Sequence, residues 1–82
     1  MKLKVSFTTC TIMEAIDEIN IVLDAANYPR VTESNLINTT PVEKNTPDDF
    51  DDFRFVFELE IDDTIDNIKE KIMSKGIDVD YD

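Results

Sequence analysis

A chain of 82 residues with a formal net charge of −11 at pH 7 is the size of one small domain, which we expect to span residues 1–82. Its 41% hydrophobic content is enough for a core and argues against a fully disordered chain. Eight basic residues face 19 acidic ones, so direct binding to nucleic acid or to an anionic membrane is not expected, and a basic partner is favoured.

The cellular setting follows from cysteine usage and from the first residues. Cys10 is the lone cysteine, which excludes a disulfide within the chain and suits a reducing compartment. No apolar run reaches the length of a membrane span, and Met1 to Lys4 leads into an alternating pattern instead of the apolar core of a signal peptide. We therefore expect a cytoplasmic protein. Self-repulsion at −11 works against compactness, and a homodimer would be one remedy.

The first half of the chain predicts a strand, a helix and a second strand. Residues 2–8 alternate apolar and polar side chains, as a half-buried strand does. Thr11 and Glu14 have the spacing of a capping box, and we expect Pro29 to stop the helix. Residues 31–38 predict a second strand, with poor alternation. The helix has an apolar stripe of Ile12, Ala15, Ile16, Ile19, Val22, Leu23 and Ala26.

The second half predicts a loop, a strand, a helix and a last strand. Residues 39–52 contain Pro41 and Pro47 and are typical of an exposed loop. Residues 53–62 alternate as a third strand, and Asp63 is positioned to cap a second helix. Gly76 is placed for a left-handed helix end, and residues 77–82 predict a fourth strand. The second helix has a stripe of Ile65, Ile68, Ile72 and Met73.

The order of these elements predicts an α+β, ferredoxin-like βαββαβ fold. In that fold the antiparallel sheet has the order 4-1-3-2, with both helices on one face. The expected core face of the sheet consists of Leu3, Val5, Phe7, Phe55, Phe57, Leu59, Ile77 and Val79. The expected open face consists of Lys2, Lys4, Arg54, Glu58, Glu60, Asp78 and Asp80. Opposite charges paired across these strands would stabilise the sheet modestly.

The residue types give no sign of catalysis, and we expect a protein that is not an enzyme and has no cofactor. There is no histidine to serve as a base, and one glycine is too few for a phosphate-binding loop. Cys10 and Met13 form only half of a Cys-x-x-Cys metal motif, so a small structural cysteine is favoured. The acids from Asp48 to Asp52 lack the spacing and glycine of an EF-hand, so no metal site is assigned.

The acidic residues themselves are the candidate binding site. Residues 48–82 hold 13 of the 19 acids and −9 of the formal charge. Alternate residues of a strand lie about 6.6 Å apart on one face, so rows of carboxylates could imitate the phosphates of a DNA backbone. The candidate partner-binding residues are Asp48, Asp49, Asp51, Asp52, Glu58, Glu60, Asp62, Asp63, Asp78, Asp80 and Asp82.

Three other roles remain open beside this DNA-mimic hypothesis. One is a protein-interaction or assembly module whose sheet or edge strand pairs with a partner, with incidental acidity. Another is a small-ligand regulatory domain, which the missing glycine-rich turn disfavours. The last is acidity that serves solubility alone.

In size, acidity and lack of catalytic residues the chain resembles bacteriophage DNA-mimic proteins that block DNA-binding proteins of the host. Among them it is similar to small acidic inhibitors of the bacterial nucleoid protein HU. Glu58, Glu60, Asp62, Asp78, Asp80 and the acids between Asp48 and Asp52 carry this resemblance. It implies a stoichiometric inhibitor, active in host takeover, that occupies the DNA-binding groove of a basic protein in the bacterial cytoplasm.

Overall fold

The computed structural model describes residues 1–42 and 52–81, and it confirms an α+β protein with an open four-stranded antiparallel sheet and two helices. The elements are β1 (Lys2–Thr9), α1 (Ile12–Ala25), β2 (Leu36–Val42), β3 (Asp52–Glu60), α2 (Ile65–Ile72) and β4 (Asp78–Tyr81). The sheet order is β2-β3-β1-β4, which is the predicted order read from the opposite edge. Short 3-10 turns occupy Glu33–Asn35 and Met73–Lys75.

One hydrophobic core joins the two helices to one face of the sheet. Phe57, at the middle of β3, is the largest of its fully buried side chains. The apolar stripe of each helix and the alternate apolar residues of β1 and β3 belong to the same cluster. The buried residues are Leu3, Val5, Ala15, Ile19, Leu23, Val31, Phe55, Phe57, Leu59, Ile61, Ile68, Ile72, Ile77 and Val79.

Helix α1 begins where the sequence predicts and ends earlier than it predicts. Thr11 is the N-cap, and its side chain accepts the backbone N–H of Glu14. The carboxylate of Glu14 accepts from the Thr9 hydroxyl at 2.6 Å and from the Cys10 thiol at 3.3 Å, in place of the return bond of a capping box. The helix ends at Ala25 because Asn27 adopts a left-handed conformation with φ of 60°, so Pro29 is not what stops it.

The prediction of a strand over residues 31–38 was wrong in its bounds. The strand covers Leu36–Val42, so four residues assigned to the loop belong to the sheet. Val31 is buried without being in a strand, because the side chain of Asn20 pairs with both of its backbone groups: it accepts the Val31 N–H at 2.8 Å and donates to the Val31 carbonyl at 3.0 Å.

Pro41 is tolerated inside β2 because its nitrogen faces the free edge of the sheet. Met1 and Ile61 exchange two backbone hydrogen bonds, at 2.9 and 3.0 Å, so odd-numbered residues of β3 point toward β1 and even-numbered ones toward β2. Arg54 therefore bonds toward Thr40, its partner in β2, and Pro41 points away from the ladder. At such an edge position a proline removes no hydrogen bond between strands.

The second helix and its flanks require three corrections. The N-cap of α2 is Thr64, which accepts from the N–H of Asn67, and not Asp63. Met73 is 43% exposed because α2 ends at Ile72 and the following 3-10 turn winds more tightly, which moves residue 73 off the buried stripe. The strands are shorter than predicted, since β3 ends at Glu60 and β4 begins at Asp78.

Gly76 closes this segment with φ of 89°, which confirms its left-handed conformation. Within the described residues, neither helix is both long and apolar enough to span a bilayer.

Candidate protein-interaction surfaces

The open face of the sheet carries acids and bases in alternating columns. Lys4 on β1 lies directly between Glu58 of β3 and Asp80 of β4 in the strand register, and Lys2 lies opposite Glu60. Cross-strand neighbours on one face are about 4.5–5.5 Å apart at Cβ, so these charges attract one another. The acids of β3 and β4 therefore flank the basic residues of β1 on this face.

Arg54 adds a third positive charge to this face. Its guanidinium reaches across from β3 and donates to the hydroxyl of Ser6 on β1 through Nε at 3.2 Å and Nη2 at 3.1 Å. Ser6 is only 4% exposed beneath it. The open face thus sets three basic side chains against five acids, which are Asp52, Glu58, Glu60, Asp78 and Asp80. The net charge of this face is therefore −2, less negative than its five acids alone would give.

Two acids follow the end of β3, and they differ in their contacts. Asp62 is exposed, whereas Asp63 accepts from the Tyr28 hydroxyl at 2.7 Å, from the Asn67 amide at 3.0 Å and from the Thr64 N–H at 2.7 Å. Lys71 lies 3.7 Å from its carboxylate and 5.4 Å from the centroid of the Tyr28 ring. Asp63 therefore joins the end of α1 to the start of α2.

These contacts move the pKa values of Asp63 and Tyr28 in opposite directions. The hydrogen bond from Tyr28, followed by those from Asn67 and Thr64, lowers the pKa of Asp63 to about 2. Burial, followed by the bond to Asp63, raises the pKa of Tyr28 to about 12. At neutral pH the phenol is the donor and the carboxylate is the acceptor, so this cluster works as a structural link and not as an acid–base pair.

The Asp63 link predicts an acid-dependent loss of stability. A carboxyl whose folded pKa is about 2, below its ordinary 3.8, stabilises the fold above pH 3.8, and this contribution disappears as the pH falls through about 2. The difference in the free energy of unfolding between wild type and Asp63→Asn should be constant above about pH 5 and shrink toward pH 2. Urea titrations across this range measure it. A difference that does not change with pH would contradict the role given to this carboxylate.

Four of the predicted site residues lie outside the described residues. They are Asp48, Asp49, Asp51 and Asp82. Asp52, predicted to belong to the loop, is the first residue of β3. No group of three or more potential metal ligands occurs in the described part of the chain. Cys10, predicted to be a structural cysteine, is exposed and donates to Glu14.

The exposed side of α1 forms an acidic surface that the sequence analysis did not include in the site. Glu14, Asp17 and Glu18 follow at i, i+3 and i+4, where side chains are neighbours on a helix surface, and all three are exposed. We call these three residues the α1 acidic face. No lysine or arginine occurs between Lys4 and Arg30, so the helix itself supplies no compensating charge.

Two contacts define the limits of the α1 acidic face. Asp24, six residues after Glu18, is neutralised by Arg30 through two bonds of 2.9 and 2.6 Å. At the other end, bonds from Thr9 and then Cys10 hold the pKa of Glu14 below its ordinary value, although burial and then the charge of Asp52 oppose that shift. The α1 acidic face therefore extends from Glu14 to Glu18. A sequence signal for it existed in the base-free stretch between residues 4 and 30.

Two large apolar side chains border these acids. Met13 is 60% exposed and Ile21 is 63% exposed, the highest values among the large hydrophobic residues described. On a helical projection Ile21 falls between Asp17 and Glu14. This mixture of apolar and acidic groups suits contact with a protein surface that is both basic and partly apolar.

A shallow depression lies at the end of the molecule where α1 stops. It has a volume of about 710 Å³ and is lined by Met1, Tyr28, Asp62, Asp63 and Lys71 among others. The polar groups of Tyr28, Asp63 and Lys71 are already engaged with one another. The depression therefore offers little free hydrogen-bonding capacity to a small ligand.

Comparisons of the chain with models of protein families, with curated proteins and with solved structures found no match.

Proposed function

We propose that this protein is a non-enzymatic acidic decoy of ferredoxin-like fold. In this role it binds a basic DNA-binding protein in place of DNA. The observation that carries the proposal is the α1 acidic face, three exposed carboxylates on a helix without a basic residue. Carboxylates on such a face can meet lysine and arginine side chains that otherwise contact phosphates.

The acidic surfaces are not expected to contribute equally to partner binding. The open sheet face also carries Lys2, Lys4 and Arg54, so we expect it to contribute less than its acid content suggests. Asp63 is committed to the fold. The α1 acidic face is therefore the principal contact, and Asp48, Asp49, Asp51 and Asp52 stay predicted contacts.

The partner belongs to the proposal as well. The nucleoid protein HU is the target that the resemblance to bacteriophage inhibitors nominates, with the bacterial cytoplasm as the setting. A net charge of −11 would speed encounter with such a protein and would make the affinity fall as salt rises.

Displacement of DNA tests the proposal. Adding this protein to purified HU bound to a fluorescently labelled duplex should release the duplex at low salt, and the release should weaken as salt is raised. Polyglutamate at the same carboxylate concentration is the control, and it should be much less effective because it lacks a fixed surface. Anisotropy of the labelled duplex is the measurement.

One result would rule out HU as the target, and a second would rule out the decoy function itself. If HU keeps its duplex, HU is not the target. An affinity capture from bacterial lysate, eluted by a salt ramp and by competing DNA, then examines the class of partner. If it yields no DNA-binding protein, the decoy function is wrong.

A further inference from the structure

The two edges of the sheet differ in their ability to accept another strand. The β2 edge is blunted, because Pro41 offers no N–H there and the register shifts between Leu36 and Asn38 as in a β-bulge. Among the described residues, the β4 edge contains neither a proline nor a register shift. β4 pairs only with β1 in the described structure, in an uninterrupted antiparallel register from Leu3↔Tyr81 to Ser6↔Asp78.

The backbone groups at the β4 edge can be assigned from strand alternation. Because Met1 bonds to Ile61 across the β1–β3 pair, odd-numbered residues of β1 face β3 and even-numbered ones face β4. Lys4 and Ser6 therefore bond with Asp80 and Asp78, their partners in register. The N–H and C=O of Val79 point the other way, toward the outer edge, with those of Tyr81 next to them.

The side chains at this edge select the charge of any added strand. Asp78 and Asp80 are exposed on the open face, whereas Val79 packs into the core at 9% exposure. A second copy of β4 running antiparallel would place Asp78 opposite Asp80 of the other chain, and like charges directly opposite are destabilising. The edge therefore disfavours self-pairing and favours a basic strand.

Strand β1 shows the kind of sequence that fits. It pairs antiparallel with the inner side of β4 and places Lys4 opposite Asp80, with Val5 opposite Val79 on the core face. An outer strand with the same alternation would set lysine or arginine against both aspartates. Backbone bonds would supply affinity, and the alternate charges would supply selectivity.

We propose that the β4 edge binds an extended basic segment of a partner protein by strand addition, antiparallel to β4, with lysine or arginine alternating with apolar residues. This inference concerns the sheet edge and not the α1 acidic face. It goes beyond the decoy function and does not depend on it.

Two N-methylated peptides test the proposal. The probe is the synthetic peptide Lys-Val-Lys-Val-Lys-Val-Thr, made once with N-methyl groups on the valines and once on the lysines. Paired residues share a face of the sheet, so the valine N–H groups would point at β4 and the lysine N–H groups away from it. The two peptides have the same charge and composition, so a difference between them reports backbone pairing.

The lysine-methylated peptide should bind and slow hydrogen exchange of the Val79 amide. The valine-methylated peptide should bind at least about tenfold more weakly, since it loses several hydrogen bonds. Amide exchange and ¹H–¹⁵N chemical shifts of the whole protein measure both. Asp78→Asn with Asp80→Asn should weaken binding of the first peptide, whereas Glu58→Gln with Glu60→Gln, which removes the same charge, should change it by less than about threefold.

Equal affinity of the two peptides would overturn the proposal, because only charge would then be recognised. Failure of both to bind, or shift changes confined to α1, would overturn it as well. Displacement of DNA from HU is measured separately, so either proposal can fail while the other stands.

Discussion

Replacing Phe57 with alanine should cost the fold about 3–5 kcal/mol, the usual range for a phenylalanine removed from a packed core. Phe57 has no exposed surface and lies at the centre of β3, between β1 and β2. A domain of 82 residues has a free energy of unfolding of about 4–12 kcal/mol. The loss is therefore at least about a quarter of the whole stability, and we expect Phe57→Ala to unfold at a much lower urea concentration than wild type.

Phe53→Ala is the matched control for this prediction. Phe53 lies on the same strand and the same face, yet it is only partly buried at the rim of the core, with its ring 6.1 Å from that of Phe55. Its removal leaves a site that water can enter, so the cost should be below about 2 kcal/mol. Urea titrations followed by circular dichroism compare the two variants. Equal losses would mean that the core is not centred on Phe57.

The sheet and both helices could be predicted because their burial has a regular period. β1, β3 and α1 each bury one side, and the pattern of Leu3, Val5, Ile19 and Leu23 records it. β2 could not be bounded in the same way, since it lies at an edge and six of its seven residues are exposed. With both sides of a strand exposed, the sequence has no alternation to display.

The side-chain bonds that complete the fold left no periodic signal either. Asn20 lies beside the apolar stripe of α1, and nothing in its position announces that it holds both backbone groups of Val31. The sequence predicts Asp63 as the cap of α2, but the N-cap is Thr64. Asp63 instead accepts a hydrogen bond from Tyr28, 35 residues earlier in the chain. Such pairings depend on tertiary structure.

Local charge density in the sequence places the acidic site in residues 48–82, whereas the structure favours the α1 acidic face. Residues 48–82 hold 13 of the 19 acids, but Lys2 and Lys4 are far from them in sequence and adjacent in the sheet. The sheet order anticipated that offset in part. Conversely, the acids of α1 are fewer, and Lys2 and Lys4 of the neighbouring strand β1 lie on the opposite, open face of the sheet.

A pair of matched variants should separate the two acidic surfaces by their effect on DNA displacement. Asp17→Asn with Glu18→Gln removes two charges from the α1 acidic face, and Glu58→Gln with Glu60→Gln removes two from the sheet. Both variants change the formal charge from −11 to −9, so the total charge is the same in each. The four side chains are not part of the core, so both variants should fold, which circular dichroism verifies.

The most direct measurement is the concentration of each variant that releases half of a labelled duplex from HU. We predict that the α1 variant needs about tenfold more protein than wild type and the sheet variant less than about threefold more, because the acids at 58 and 60 are already opposed by Lys4 and Lys2. If the sheet variant loses more activity than the α1 variant, or if both are unchanged, the α1 acidic face is not the decoy surface.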